Sequence, residues 1–309
     1  MKSKPVICIL LSTYNGEKYL EQQLDSIFAQ TFENFILFVR DDGSSDHTTT
    51  ILNAYQKKYP ERMHIIPNPE KKNLGYMASF WVLLSECASA DYYAFCDQDD
   101  VWLPYKLENA VSLLKEEDQQ LPVLYFCNYE YCDADLNPLH PAPAVSMPIT
   151  LKDVLFYTPA FGFSIVINDT LRQMALSTSS RERLPHDGWV QKIAAACGKI
   201  LYDPRIAAYY RRHDKAVTAS NKQLFSLIHH WLFHDILGSS MKENHYVLDC
   251  FAEEYAALLD PDNKRLLTLF TGSSASPLIW AKRLLFRKRL RPSLGGELAL
   301  RICFFLNRY

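Results

Sequence analysis

Over the first 130 residues, short apolar runs alternate with stretches whose apolar residues recur at helical spacing. VICILL (6–11), FILFV (35–39), MHII (63–66) and YYAFC (92–96) read as strands. Between them, EKYLEQQLDSIFAQ (17–30) sets Tyr19, Leu20, Leu24, Ile27 and Phe28 on one helical face. Further helices are predicted from about Asp46 to Lys58, over NLGYMASFWVLLSECA (73–88) and over LPYKLENAVSLLKEE (103–117), where Pro104 suits a first turn. Apolar strands alternating with helices predict an α/β fold, a Rossmann-like, mostly parallel sheet flanked by helices on both faces.

Beyond residue 122 the alternation loosens. VLYFCNYEY and FGFSIVI (161–167) are strand-like, DADLNPLHPAPAVSMP is rich in turn formers, HDGWVQKIAAACG (186–198) runs into a helix, and KILYDPRIAAYYRRH (199–213) is extended. From residue 221 the pattern is helical, which predicts a catalytic α/β domain over 1–220 and a helical extension over 221–309.

A formal charge of −2 disfavours nucleic-acid binding through overall basicity. Eight cysteines form no CxxC pair, and several sit in apolar runs, which predicts free thiols in a reducing, cytoplasmic setting. VICILL is too short for a secretory core and is read as a buried first strand. No apolar segment approaches membrane-spanning length, so any membrane association is expected to be peripheral.

Ligands of open parallel sheets bind beyond the carboxyl ends of the strands. Three of those ends carry polar clusters: STYNG (12–16), RDDGSSD (40–46) and DQDD (97–100). STYNG alone reads as an ordinary turn. Ser45 or Asp46 suits a helix N-cap, yet the pair Asp41 and Asp42 exceeds what a cap requires. In DQDD three carboxylates repel one another, and a hard divalent cation bound to a diphosphate would relieve that repulsion.

In order, VICILLSTYNGEKYLEQQLDSIFAQTFENFILFVRDDGSSD, YYAFCDQDDVWLPYKL, HDGWV and YYRRH resemble the family 2 glycosyltransferases of GT-A fold over about residues 5–215. Within the family the similarity points to bacterial rhamnosyltransferases of cell-wall or capsular polysaccharide. The resemblance implies that Ser12, Thr13 and Tyr14, with Asn15, lie against the nucleotide, and that Asp42 hydrogen-bonds the pyrimidine ring. Asn73 and Gly75 would border the donor pocket. Asp97 would approach the sugar and the metal, Asp99 would touch the metal (Mg²⁺ or Mn²⁺), and Asp100 would stand behind them. His213 would meet the metal–diphosphate, with Arg211 and Arg212 as alternative clamps. Arg40 would pair with Asp41 or Asp42, or line the pocket.

Asp187 of HDGWV matches the family's catalytic base, although its position equally suits a helix N-cap. Many relatives carry an aromatic where Gly188 stands, a departure that bears on packing against Trp189 and on the acceptor side. The implied reaction is inverting transfer from a dTDP- or UDP-sugar, with dTDP-rhamnose preferred, to a polyprenyl-linked glycan. A nucleotidyltransferase would need a Gly-rich basic loop after the first strand, which STYNGEKYL lacks; a non-catalytic assembly partner would not need DQDD and HDGWV. Six cations and no acid between Lys282 and Arg291, interleaved with leucines and preceded by Trp280, predict a basic amphipathic helix over 280–291 facing an anionic membrane, or packed on the protein. His230 and His234 have i,i+4 spacing but no HExxH context.

Overall fold

The computed structural model describes residues 4–179, 181–212, 238–272 and 276–309. The chain forms two compact units: Met1–Pro148 with Ala160–Ala194 and Gly198–Val217, and Ile149–Pro159 with Ala195–Cys197 and Thr218–Tyr309. A single cut at residue 220 cannot separate them, because Ile149–Pro159 belongs with the later helices. His213, His229, His230 and His234 lie outside the described residues.

The first unit holds nine strands: β1 (Ile7–Thr13), β2 (Phe35–Asp41), β3 (Met63–Ile65), β4 (Tyr92–Cys96), β5 (Val101–Trp102), β6 (Val123–Cys132), β7 (Pro138–Pro141), β8 (Ile165–Asn168) and β9 (Lys199–Arg211). They form one sheet in the order β3-β2-β1-β4-β8-β6-β9-β5, with β7 on the flank of β6. The first four expected strands make its parallel part. Thereafter the sheet is mixed: β8 runs antiparallel to both β4 and β6, whereas β6 and β9 are parallel.

β1 is central and buried at every position but Ser12, as expected of a strand covered on both faces. Ile7, Ile9 and Leu11 pack with Leu20, Leu24 and Ile27 of α1 (Leu20–Phe28). Each such side chain, fully buried, contributes roughly 2 kcal/mol. The flanking helices are α2 (Thr48–Lys58), α3 (Tyr76–Glu86), α4 (Lys106–Leu114), α6 (Asp169–Leu176) and α7 (His186–Cys197). α3 begins three residues later than its apolar pattern predicts, because Gly75 takes φ +79° at the N-cap and ends the preceding loop there. Two strands lie where none was expected. β5 has only two residues, too few to show a period, and pairs with β9 through Val101 opposite Tyr209. β7 starts and ends in proline, which is tolerated at a sheet edge.

The second unit contains α5 (Leu151–Val154), α8 (Ser240–Tyr255), α9 (Pro261–Leu269), α10 (Pro277–Leu284) and α11 (Leu294–Phe305). Phe270 gathers its core, with ring centroids 5.2 Å from Phe156, 5.5 Å from Phe286 and 5.7 Å from Phe304. The Asp260 carboxylate caps α9 by accepting from the amides of Asp262 and Asn263, both at 2.9 Å. The expected basic helix over 280–291 is not continuous. α10 ends at Leu284, Arg283 is buried and donates to the carbonyls of Leu269 (2.6 Å) and Thr271 (3.1 Å), and Leu290 is also buried. A buried guanidinium with carbonyl partners and a buried leucine cannot share one solvent-facing stripe, so the amphipathic register breaks after α10. No described helix is long and apolar enough to cross a membrane. All eight cysteines are free thiols, as their spacing predicts.

Gly198, at the α7–β9 junction, has no room for a side chain: a Cβ there would lie 1.9 Å from the Pro122 carbonyl oxygen. That oxygen also accepts from the Lys199 amide at 3.0 Å. Gly198→Ala must push β9 away from β6 and is expected to destabilise the fold by roughly 2 kcal/mol. Urea unfolding checks this; an unchanged midpoint would contradict the packing described.

Candidate active site

β1, β2 and β4 are parallel neighbours, so their carboxyl ends open at one edge of the sheet. The three polar clusters predicted there are laced together. The Gln98 side chain accepts from the Tyr14 amide at 2.9 Å and donates to the Tyr14 carbonyl at 3.0 Å. The same carboxamide lies where a Cβ on Gly16 would come within 2.2 Å of its oxygen, so only glycine permits this approach. Asn15, at φ +46°, donates its amide to the Ser44 hydroxyl (2.9 Å) and accepts from the Ser45 amide (2.8 Å). Thr13 is buried and donates to the Asp41 carboxylate at 3.1 Å, while Ser12 hydrogen-bonds Ser79 of α3 at 2.9 Å. Tyr14 projects outward, half exposed.

Asp42 is buried, and Arg40 forms an ion pair with it. Its carboxylate also accepts from the amides of Leu74 (2.9 Å) and Gly75 (2.8 Å). It therefore holds the loop that carries Asn73 and Gly75 against the end of β2. The Arg40 guanidinium completes this by donating to Ser79 (3.0 Å) and to the Lys72 carbonyl (3.3 Å). Of the roles the sequence left open for Arg40, the ion pair with Asp42 is the one observed.

The acidic turn lies between β4 and β5. Burial, then the charges of Asp99 and Asp187, push the Asp97 carboxyl up to about 7. Asp100 is fully buried; burial, then Asp99 and Asp97, raise it well above the usual carboxylate range. One Asp100 oxygen accepts from the Arg211 amide at 3.2 Å, and the other has no partner. Arg211 is likewise buried, and its guanidinium donates to the carbonyls of Asp99 (2.8 Å) and Ala134 (2.6 Å) and to the Gln22 side chain (2.6 Å). Its donors serve the chain itself: it is a strut under the acidic turn instead of a clamp on a ligand. Arg212 is partly exposed and stands over the Tyr131 ring at 4.2 Å.

Among the described residues no three His, Cys, Asp or Glu side chains converge as a metal-ligand group. Asp97 and Asp99 fit a cation that takes two carboxylates and completes its shell with water and phosphate oxygens, as Mg²⁺ does. The raised Asp97 carboxyl and the orphaned Asp100 oxygen mark a turn with more negative charge than its own partners neutralise.

α7 starts at His186 after Pro185, so Asp187 stands in the first helical turn and is not the N-cap. Its carboxylate accepts from the Gly188 amide at 2.7 Å and gains from the positive end of the helix dipole. Its charge reaches Asp97 and also raises the Tyr76 phenol, after burial, which brings the β4 turn, α3 and α7 to one site. Two neighbours in α7 escaped the sequence reading. His186 is buried against Phe80 (4.2 Å) and Phe95 (4.9 Å) with neither ring nitrogen hydrogen-bonded, and burial pushes its pKa down, so it is neutral. Lys192 is only 4% exposed and has no hydrogen-bond or ion-pair partner among the described residues. The aromatic wall of Tyr129, Tyr131, Phe161, Phe163 and Tyr210 was also missed, because its members come from three separated segments; Tyr210 stacks on Phe163 at 5.1 Å.

The profile of glycosyl transferase family 2 matches residues 8–165. The chain is 37% identical over 106 residues to "dTDP-rhamnosyl transferase RfbG" of Shigella flexneri, covering 34% of this chain and 36% of that protein. It is 32% identical over 149 residues to "Putative glycosyltransferase EpsE" of Bacillus subtilis, covering 47% of this chain and 52% of that protein. The matched segments thus span about half or less of these relatives. S. aureus TarS in complex with UDP-GlcNAc has a similar fold, with TM-score 0.54, 14% identity, and coverage of 97% of this chain and 89% of that one. So does the mannosyltransferase PcManGT from Pyrobaculum calidifontis in complex with GDP-Man and Mn²⁺, with TM-score 0.53, 16% identity, and coverage of 100% and 88%.

Lys192 supplies a test of the α7 environment. Burial lowers its pKa to about 8, with the Asp187 charge opposing the drop. The protonated form is disfavoured in the fold, so the cost is full below pH 8 and disappears as pH rises to the ordinary value of 10.5. Lys192→Met is expected to stabilise the protein by roughly 2–3 kcal/mol at pH 7 and by little at pH 10.5. Thermal unfolding of both proteins across this range checks the sign and the window.

Proposed function

The chain belongs to glycosyl transferase family 2, and on that footing we propose that it transfers a sugar from a nucleotide-diphosphate donor to a hydroxyl of a growing glycan, with inversion. The observation that carries this reading is the electrostatic link between the β4 turn and Asp187: acidic donors for a diphosphate-bound cation and a lone carboxylate for a base act on one another. The first strand ends, with Tyr14 outermost and the 73–75 loop fixed by Asp42, supply a rigid seat for the nucleotide.

In the proposed reaction the acceptor hydroxyl attacks the anomeric carbon as the bond from that carbon to the diphosphate oxygen breaks. Asp187 accepts the hydroxyl proton, and its carboxylate is oriented in the first turn of α7 by the Gly188 amide. Asp97 and Asp99 would hold Mg²⁺ or Mn²⁺, which when bound would supply Lewis-acid neutralisation of the leaving group. Arg212 pairs with a phosphate oxygen, the contact its guanidinium favours. His213 is proposed as a further metal–diphosphate contact from the sequence alone. A single displacement with one base gives inversion, by the geometry that governs inverting glycosidases.

The preferred donor is dTDP-rhamnose, supported by the 37% identity to the Shigella protein over its matched segment. A UDP-hexose or UDP-N-acetylhexosamine is the alternative donor at the same site. A polyprenyl-linked acceptor at the inner membrane face is supported by the cations Lys282, Arg287, Lys288 and Arg289, all exposed.

Donor hydrolysis assayed over dTDP-, UDP- and GDP-sugars, with Mn²⁺ and with EDTA, tests the reading. Turnover is expected with a dTDP-sugar and to vanish with EDTA; equal turnover without metal would refute the roles of Asp97 and Asp99. Asp187→Asn is expected to bind donor as the parent does while transfer falls by about 10²–10⁴-fold. Retained transfer would remove Asp187 as base.

A further inference from the structure

Within the second unit, α9 and α10 enclose a groove of about 890 Å³ that the proposed reaction does not use. Its walls are apolar. Leu266 and Leu269 of α9 face Leu278, Ala281 and Leu285, which recur at i, i+3 and i+7 along α10 and the residue after it. Leu278 is 63% exposed and Leu285 74%, so the wall opens to solvent at hydrocarbon side chains. Phe286 forms part of the lining and is anchored on Phe270.

The rim has the opposite character. Lys152, Arg265, Lys282, Arg287 and Lys288 line it, against the single carboxylate of Asp262. Lys152 is paired with Asp153, and Arg265 with Asp262 at 3.4 Å. Lys282, Arg287 and Lys288 have neither an ion pair nor a side-chain hydrogen bond among the described residues. Three uncompensated cations lining a hydrocarbon-walled groove do not stabilise the fold, since like charges repel. They complement a molecule with a negative head and an apolar tail.

We infer that this groove binds a single anionic lipid of the membrane, its phosphate at Lys282, Arg287 and Lys288 and its chain between α9 and α10. The inference deepens the peripheral-membrane reading above and rests on it. It differs in what it requires: flat adsorption needs only exposed cations and leucines, whereas occupancy needs the space beside Ala281 and the Leu266 wall, which is only partly exposed.

The test uses the full chain and dihexanoyl phosphatidylglycerol below its micelle concentration, with dihexanoyl phosphatidylcholine and inorganic phosphate as the other arms. Calorimetry is expected to show one saturable site for the glycerol lipid, at least about tenfold tighter than for the choline lipid, with phosphate alone much weaker. Ala281→Trp fills the groove and is expected to abolish this binding. The triple change Lys282→Gln, Arg287→Gln, Lys288→Gln, at exposed positions, is expected to reduce the glycerol lipid to the choline level. Tight binding of phosphate alone, equal binding of the two lipids, or full binding by Ala281→Trp would each overturn the inference. Sedimentation with phosphatidylglycerol vesicles reads the surface reading separately: vesicle binding without a monomeric-lipid site would leave adsorption standing and the groove refuted. Donor hydrolysis and thermal unfolding of every variant confirm that the first unit and the fold are intact.

Discussion

Burying an unpaired carboxylate costs several kcal/mol, and the turn after β4 packs three acidic side chains into four positions beneath a site that must stay open to ligand. The fold meets this constraint with an internal cation. Arg211 reaches the turn from the end of β9, bonding the Asp99 carbonyl with its guanidinium and Asp100 with its own amide. The short β5, paired with β9, fixes the far side of the same turn. Asp97 and Asp99 stay partly exposed, while Asp100 takes the position farthest from water. A buried ion pair, Arg40 with Asp42, does for the loop at residues 73–75 what Arg211 does for the acidic turn. In both places a buried guanidinium stabilises backbone by bonding its carbonyl groups.

The parallel half of the sheet could be read from the chain because buried strands of five to seven residues declare themselves by composition. The acidic turn stands out as three carboxylates within four positions, whereas Asp187 is marked only by the resemblance, because its residue type suits an N-cap equally. What escaped has specific causes. β5 is shorter than any period, and β7 lies among prolines that signal turns. Arg211 and Arg212 are adjacent, and nothing in their sequence distinguishes the buried strut from the partly exposed neighbour; that difference is set by strand register, with Arg211 opposite Cys132. Lys192 and His186 looked like ordinary helix residues, since burial at 4% exposure is a property of packing and not of spacing. The basic stretch after Trp280 was misread for a similar reason, because Arg283 found carbonyl partners inside its unit.

The family match ends at residue 165, before α7, β9 and the whole of the helical tail. The shared portion contains the loops assigned to the nucleotide and the acidic turn, while Asp187, Arg212 and the aromatic Tyr210 fall beyond it. A division of this kind is expected where many enzymes draw on similar activated donors but deliver to different acceptors. Gly188 also lies beyond the matched segment, buried at the start of α7 beside Trp189.

The Arg211 strut joins positions far apart along the polypeptide: it bonds Asp99 across 112 residues and Gln22 across 189. A ribosome must therefore release about two-thirds of the protein before the acidic turn can take its final shape. Until then the early strands can assemble while the centre of chemistry stays unfinished, a nascent chain with a scaffold and no working mouth. Contacts of such long reach slow the search for the native state. They also mean that a prematurely terminated product, however well its first strands pair, lacks the strut beneath its acidic turn.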